Sequence, residues 1–148
     1  MCIRPLLLGA AAGVLLLAAC TGEDRVATFI HGLGVAVQEL QAGQAVQMEA
    51  VNPARWSRLY VFAPYTPLAV IGAAIKTPLS ADIERTGLQE RDDINLLVFV
   101  DQHSVALVAA VPRNVVDFSV AGAGRPYDRH AAVFSYAVRD GRPLLVDR

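Results

Sequence analysis

The most regular hydrophobic pattern of the chain lies just after its first twenty residues. Apolar side chains recur there at steps of three and four from residue 26 to residue 40. This spacing places them on one face of an amphipathic helix. Glu23 and Asp24 suit the positive end of a helix dipole, and Gly43 is a typical stop. The pattern predicts a helix over residues 25 to 42.

Shorter patterns further along predict a sheet. Residues 45 to 51 alternate between apolar and polar side chains, which is typical of a half-buried strand. Residues 94 to 100, INLLVFV, are apolar on both faces, as in a central strand. Residues 105 to 111 return as the partner of that strand in a β-hairpin. Further strands are predicted at residues 59–62, 131–138 and 144–146, with a loop at residues 121–130.

Two short helices are predicted between the first strands and the hairpin. Thr66 and Pro67 form a helix start, with a hydroxyl cap and a proline at the first helical position. A second helix is expected from Ser80 to about Arg85, with Gly87 as its end. Together the elements predict one α+β domain over residues 25–148. It is an antiparallel sheet of about five or six strands with one or two helices packed on one face.

Composition narrows the class of protein. The formal net charge is -1, so the chain has no basic excess to hold a phosphate backbone, and nucleic-acid binding is not expected. Cys2 and Cys20 are its two cysteines. Both precede the predicted domain, which therefore has no internal disulfide and no thiolate metal site.

The first nineteen residues have the plan of a secretory signal. Residues 1 to 4 carry one positive charge, and residues 5 to 19 are fifteen residues without a charge. A transmembrane helix needs about 20 apolar residues. Glu23 and Asp24 follow closely, so the run cannot extend to that length.

The signal ends in LAAC at residues 17 to 20, which resembles the lipobox of bacterial lipoproteins. The resemblance implies that the Cys20 thiol receives a diacylglycerol, that residues 1 to 19 are removed, and that the new amine is acylated, for example with palmitate. The mature chain then has 129 residues, 148 minus 19. Residues 20 to 24 become a lipidated N-terminus and short tether. The alternative is an ordinary signal peptide with a chance cysteine.

The residue after the lipobox cysteine bears on location. In Gram-negative lipoproteins an aspartate there tends to retain the protein at the inner membrane, whereas this chain has Thr21. The expected location is therefore the bacterial cell envelope, lipid-anchored and facing the periplasm, at the outer rather than the inner membrane if the host is Gram-negative.

Two blocks resemble a second family, of small bacterial proteins that are often lipoproteins. Residues 56 to 67, WSRLYVFAPYTP, match its W-D-R-hydrophobic-Y-V-F-x-P-Y-T block, and residues 92 to 100, DDINLLVFV, match its D-x-I-N-L-L-V-F-V block. The match covers about half of the mature chain. Ser57 departs from the family's aspartate, so no role of that acid passes to this chain. The resemblance implies an envelope location and brings no activity with it.

The first block supplies the candidate binding surface. Trp56, Arg58 and Tyr65 combine aromatic rings with a guanidinium, which is the composition of many binding hot spots. The alternative is that the rings pack a helix onto the sheet, with Pro64 and Tyr65 at the corner.

Catalytic and metal-binding patterns are not recognised in the sequence. Asp92 and Asp93 are adjacent, so on a strand they would point to opposite faces, and a solvated turn is expected instead. The chain has neither an H-E-x-x-H nor a G-x-S-x-G pattern, so no catalytic residue, cofactor or metal is predicted. The one candidate for a hydrolase site is a pocket that contains His130, Asp128 and one serine.

These observations favour a membrane-anchored lipoprotein with a non-catalytic module that binds a protein or an envelope component. Two alternatives stay open. A small envelope hydrolase would require His130, Asp128 and a serine in one pocket. A periplasmic inhibitor of a hydrolase would use exposed aromatic side chains on a loop.

Overall fold

The computed structural model of the protein describes residues 21–118, 121–122 and 124–148. The predicted signal and Cys20 lie outside this part of the chain. The helices are α1 (Gly22–Gln38), α2 (Met48–Val51), α3 (Leu68–Ile75) and α4 (Ala81–Arg85). The strands are β1 (Ala45–Gln47), β2 (Arg58–Phe62), β3 (Ile94–Asp101), β4 (Ser104–Pro112), β5 (Pro126–Asp128), β6 (Val133–Arg139) and β7 (Arg142–Asp147).

The α+β class is confirmed, and the described strands divide between two antiparallel sheets. One has the order β4-β3-β2-β5 and the other the order β1-β6-β7. Strand β3 is central and buried along both faces, as its apolar run predicted, and it forms the expected hairpin with β4. The two sequence blocks meet here, because β2 pairs with β3 from Arg58 opposite Val100 to Phe62 opposite Leu96.

The two faces of the four-stranded sheet bury different cores. On one face, α1 and the second sheet cover a set of side chains that we call the sheet-covered core. Its rings are Phe29, Trp56, Phe99, Phe118, Tyr127 and Phe134. On the other face, α3 and α4 cover the helix-covered core. Its members include Tyr60, Phe62, Ile71, Ile83, Leu96 and Val98.

Helix α1 begins earlier than the hydrophobic pattern predicted. Thr21 is its N-cap and forms a capping box with Asp24, in which each side chain accepts a hydrogen bond from the other residue's backbone. Residues 22 to 24 are therefore the first helical turn, so the helix begins three residues before the predicted position at residue 25. The helix ends at Gln38, four residues before the predicted position.

The predicted strand at 45–51 is wrong in its second half. Met48 is completely buried, as the alternation indicated, but the chain turns there into α2. The Met48 amide donates to Ala132 O at 2.9 Å, and the Asn52 amide donates to Met48 O at 2.8 Å. A tertiary hydrogen bond and a helical one thus replace the expected ladder.

Two other expectations need correction. The segment at 121–130 contains β5, whose Tyr127 lies opposite Leu59, so pairing with β2 makes a strand of a sequence that reads as a loop. At α3 the cap is Pro67 itself, while the Thr66 hydroxyl donates to Ala63 O at 2.7 Å. At α4 the prediction is confirmed, since Ser80 accepts a hydrogen bond from the Ile83 amide.

Candidate functional site

The candidate binding residues of the first block do not form one surface. Trp56 is only 2% exposed and belongs to the sheet-covered core, where its ring meets Phe99 edge-on at 5.1 Å between centroids. Its indole N–H donates to Asn52 O at 2.9 Å. The alternative of core packing is therefore the correct one for Trp56, because a ring that is already surrounded cannot bind a partner.

Arg58 and Tyr65 remain on the surface. Arg58 is exposed at the start of β2, opposite Asp128 of β5. Tyr65 is 59% exposed and has a positive φ of 63°, a conformation that a bulky residue rarely adopts. Its amide donates to Leu88 O and Arg91 O at 3.0 and 3.2 Å, so backbone hydrogen bonds hold the corner.

Arg129, which the sequence did not single out, organises the loop before β2. Its guanidinium lies over the Trp56 ring at 5.1 Å and donates to Ala54 O and Pro53 O at 2.7 and 3.3 Å. It also donates to Glu49 Oε1 at 2.8 Å. These contacts join segments about 75 residues apart, and no local pattern could have indicated them.

The hydrolase alternative rested on His130 and Asp128. The structure pairs His130 with Glu49 instead, since Nδ1 lies 2.8 Å from Oε2. Hydrogen bonds from Arg129, and then from His130, lower the pKa of Glu49. The imidazole is 86% exposed, so the pair lies on the surface rather than in a pocket.

The acidic pair at 92 and 93 lies in an exposed turn, as predicted. Arg91 donates two hydrogen bonds to Asp93, from Nε to Oδ1 at 2.8 Å and from Nη2 to Oδ2 at 2.6 Å. This pairing lowers the pKa of Asp93. Within residues 21–118, 121–122 and 124–148, no group of three His, Cys, Asp or Glu side chains could hold a metal ion.

The second block is tied to a buried polar cluster. Asp117 accepts hydrogen bonds from Arg113 Nη2 at 2.7 Å and from the side-chain Nδ2 of Asn95 at 3.3 Å. Arg113 Nη1 also donates to Asp92 O at 2.8 Å. The Asn95 side chain is fully buried, so this cluster fixes the start of β3 against the turn after β4.

A groove of about 810 Å³ lies beside the N-terminal end of α1, between α1, α4 and β4. Its lining combines apolar side chains, among them Val26, Ile30 and Leu107, with charged ones of both signs. The charged lining residues are Glu23, Arg25, Asp82, Arg85 and Arg91. Arg25 Nη2 also donates to Ala106 O of β4 at 3.4 Å.

No helix in the part of the chain that the structure describes is long and apolar enough to cross a bilayer. Comparisons of the chain with protein-family models, with curated proteins and with solved structures give no match.

Proposed function

We propose that this chain is a bacterial envelope lipoprotein, anchored through lipid on Cys20 and facing the periplasm. Its folded domain binds a protein or another envelope component and does not catalyse a reaction. The observation that carries this proposal is the LAAC pattern at residues 17 to 20, which resembles a lipobox. The capping box of Thr21 and Asp24 then begins α1 directly after Cys20. Two or more acyl chains on Cys20 would hold such a chain stably in a membrane.

The short connection has a mechanical consequence for the proposed lipoprotein. With Thr21 alone between the lipid and the helix, the domain lies against the bilayer rather than at the end of a flexible arm. The groove beside α1 then meets the lipid headgroups. Its apolar lining, which includes Val26, Ile30 and Leu107, suits the interface.

The anchor is tested by metabolic labelling with an alkyne fatty acid in a bacterial host. We expect the wild-type protein to take the label and to stay with the membrane in alkaline carbonate, and Cys20→Ala to take no label. Cys2→Ala is the matched control, because Cys2 lies in the part that processing removes. Labelling that persists in Cys20→Ala would overturn the proposal.

The position of the domain is tested with environment-sensitive probes in liposomes. Residues 21 to 148 contain no cysteine, so single cysteines can be introduced. A probe on Ala27→Cys, in the groove, should report an apolar surrounding when the lipidated protein is reconstituted. A probe on Asn114→Cys, in the exposed turn after β4, should report water. Equal signals from the two would contradict the close position.

The binding role is tested by crosslinking the full-length lipoprotein in its own envelope and identifying what is recovered. We expect one reproducible component, and we expect it to be lost with Cys20→Ala. Recovery of the same component with the unanchored variant would show that the anchor is unnecessary for binding.

A further inference from the structure

A second, smaller cleft lies beyond the part of α1 that the proposed anchor would hold at the membrane. Its volume is about 310 Å³, and it opens between the turn after β4 and the tip of the β6–β7 hairpin. Charged side chains dominate its lining: Arg113, Asp117, Arg139, Asp140 and Arg142. Three guanidinium groups and two carboxylates leave an excess of one positive charge.

The inner wall of this cleft is fixed. Arg113 donates to Asp117 Oδ2 from Nε at 3.1 Å and from Nη2 at 2.7 Å. Backbone hydrogen bonds join Asp117 to β7, from its amide to Pro143 O and from the Leu145 amide to its carbonyl, both at 2.9 Å. The carboxylate of Asp117 is thus compensated within the wall and does not cancel the charge of the other arginines.

The outer wall holds two arginines that repel each other. Arg139 and Arg142 are directly opposite in the hairpin, on either side of the turn made by Asp140 and Gly141, whose φ angles are 52° and 74°. Side chains opposite each other in an antiparallel pair lie about 5 Å apart at Cβ, and like charges there are destabilising. Among the described residues, neither Arg139 nor Arg142 forms an ion pair.

We propose that this cleft binds a phosphate group, carried by a small solute or by a larger envelope component. An oxyanion between Arg139 and Arg142 would turn their repulsion into attraction. The planar guanidinium fork also matches the spacing of phosphate oxygens. The site depends on the turn after β4 and on the β6–β7 hairpin, and not on the lipid anchor.

The position of the cleft bears on the source of the phosphate. The turn that carries Arg113 packs near the later part of α1, since an added Cβ on Gly34 would lie 3.4 Å from Val115. From residue 22 to residue 34 the helix rises about 18 Å. The cleft thus lies beside the later part of α1, about 18 Å along the helix from the residues next to the proposed anchor. A headgroup of the anchoring membrane that entered the cleft would lie that far from Cys20. This statement about the source rests on the proposed function, whereas the binding chemistry does not.

The test uses the full-length protein in detergent, with inorganic phosphate as the probe and chloride at equal ionic strength as the reference. We expect phosphate to raise the melting temperature of the wild type, and Arg142→Gln and Arg139→Gln each to weaken phosphate binding at least tenfold. Arg148→Gln removes an exposed arginine outside the cleft and is the matched control, with a change below twofold. An equal loss in Arg148→Gln, or no phosphate effect beyond that of chloride, overturns the proposal.

A second readout guards against a merely structural effect. In phosphate-free buffer Arg142→Gln should melt at the same temperature as the wild type or higher, because the substitution removes the repulsion. A lower melting temperature without phosphate would overturn the proposal, since the pair would then stabilise the empty protein.

A vesicle measurement with Cys20→Ala separates the two sources of phosphate. Two results together support a solute or envelope component as the source. Binding to vesicles of anionic phospholipid does not change when Arg142 is replaced, whereas binding of free phosphate is lost. Dependence on Arg142 with vesicles alone assigns the same phosphate chemistry to a lipid headgroup. If labelling of Cys20 fails while phosphate binding persists, the anchor is refuted and the cleft is not.

Discussion

The two faces of strand β3 bury neighbouring residues of the same run in different surroundings. Leu97 and Phe99 enter the sheet-covered core, between two hydrogen-bonded sheets and under α1. Leu96 and Val98 enter the helix-covered core, under α3 of eight residues and α4 of five. Helices this short are marginal on their own and can shift over the sheet. We therefore expect a cavity to cost more free energy in the sheet-covered core than in the helix-covered core.

The largest expected effect is in the sheet-covered core. Phe99 is fully buried and meets both Phe29 and Trp56 edge-on, with centroids 5.2 and 5.1 Å away. We expect Phe99→Ala to lower the free energy of unfolding by about 4 kcal/mol, because the removed ring leaves a cavity between elements that cannot close. Urea unfolding followed by circular dichroism measures this loss. A loss below about 2 kcal/mol would show that the two sheets can collapse onto the gap.

A matched pair of leucines tests the comparison directly. Leu96 and Leu97 are adjacent on β3, are both fully buried, and point into opposite cores. Leu→Ala costs about 2–5 kcal/mol, according to how far the surroundings relax. We expect Leu97→Ala near the upper end and Leu96→Ala near the lower end, in the same unfolding experiment. Equal losses, or the reverse order, would contradict the expected difference between the two cores.

A third prediction concerns the polar edge of the sheet-covered core. Tyr127 donates its hydroxyl proton to Asp147, and burial, together with this hydrogen bond, raises the pKa of Tyr127 to about 12. The unfolded chain loses the proton near pH 10, so the contribution to stability is complete below pH 10 and is lost as the pH rises through 12. We expect a fall of about 2 kcal/mol over this range.

Denaturant unfolding at several alkaline pH values measures this fall. Tyr127→Phe is the control, because it cannot ionise and should lack this part of the pH dependence. If the wild type and Tyr127→Phe show the same alkaline slope, another group is responsible.

The smallest effect is at the start of α1, which covers the sheet-covered core. Thr21→Ala removes the side-chain cap and should lower the free energy of unfolding by about 1 kcal/mol. Thr28→Ala, on the exposed face of the same helix, should be neutral or slightly stabilising, because alanine is the better helix former. Thermal unfolding of the two variants measures this difference. Equal destabilisation would show that the Thr21 side chain does not stabilise the helix as a cap.

Local patterns could predict those elements whose cause is local. The INLLVFV run, apolar on both faces, predicted a central strand, and β3 is buried on both sides. The short helix predicted from Ser80 to about Arg85 is present as α4, and Ser80 is its N-cap. Strand β5 could not be found, because its pairing partner β2 lies about 70 residues earlier and its own composition is that of a loop.

The candidate site was less predictable than the fold. Trp56 was a candidate for binding because an aromatic ring near an arginine is typical of hot spots, with core packing as the alternative. Phe99 and Arg129, from distant parts of the chain, lie against its ring and decide for packing. Nothing in the sequence marks Arg139 and Arg142 as site residues, because arginines commonly flank an exposed Asp-Gly turn. Only the approach of Arg113 across the fold makes them part of a cleft.

Strand β4 forms one edge of its sheet, and an open edge is a template on which another chain can pair. The proposed lipid anchor would hold all copies of the protein in one plane, where such edges meet often. Arg25 donates a hydrogen bond to the Ala106 carbonyl of β4, and the pairing register of β4 shifts opposite Phe99 and Val100. Because a capped and irregular edge is a poor template, β4 is protected against pairing with the edge of a second chain.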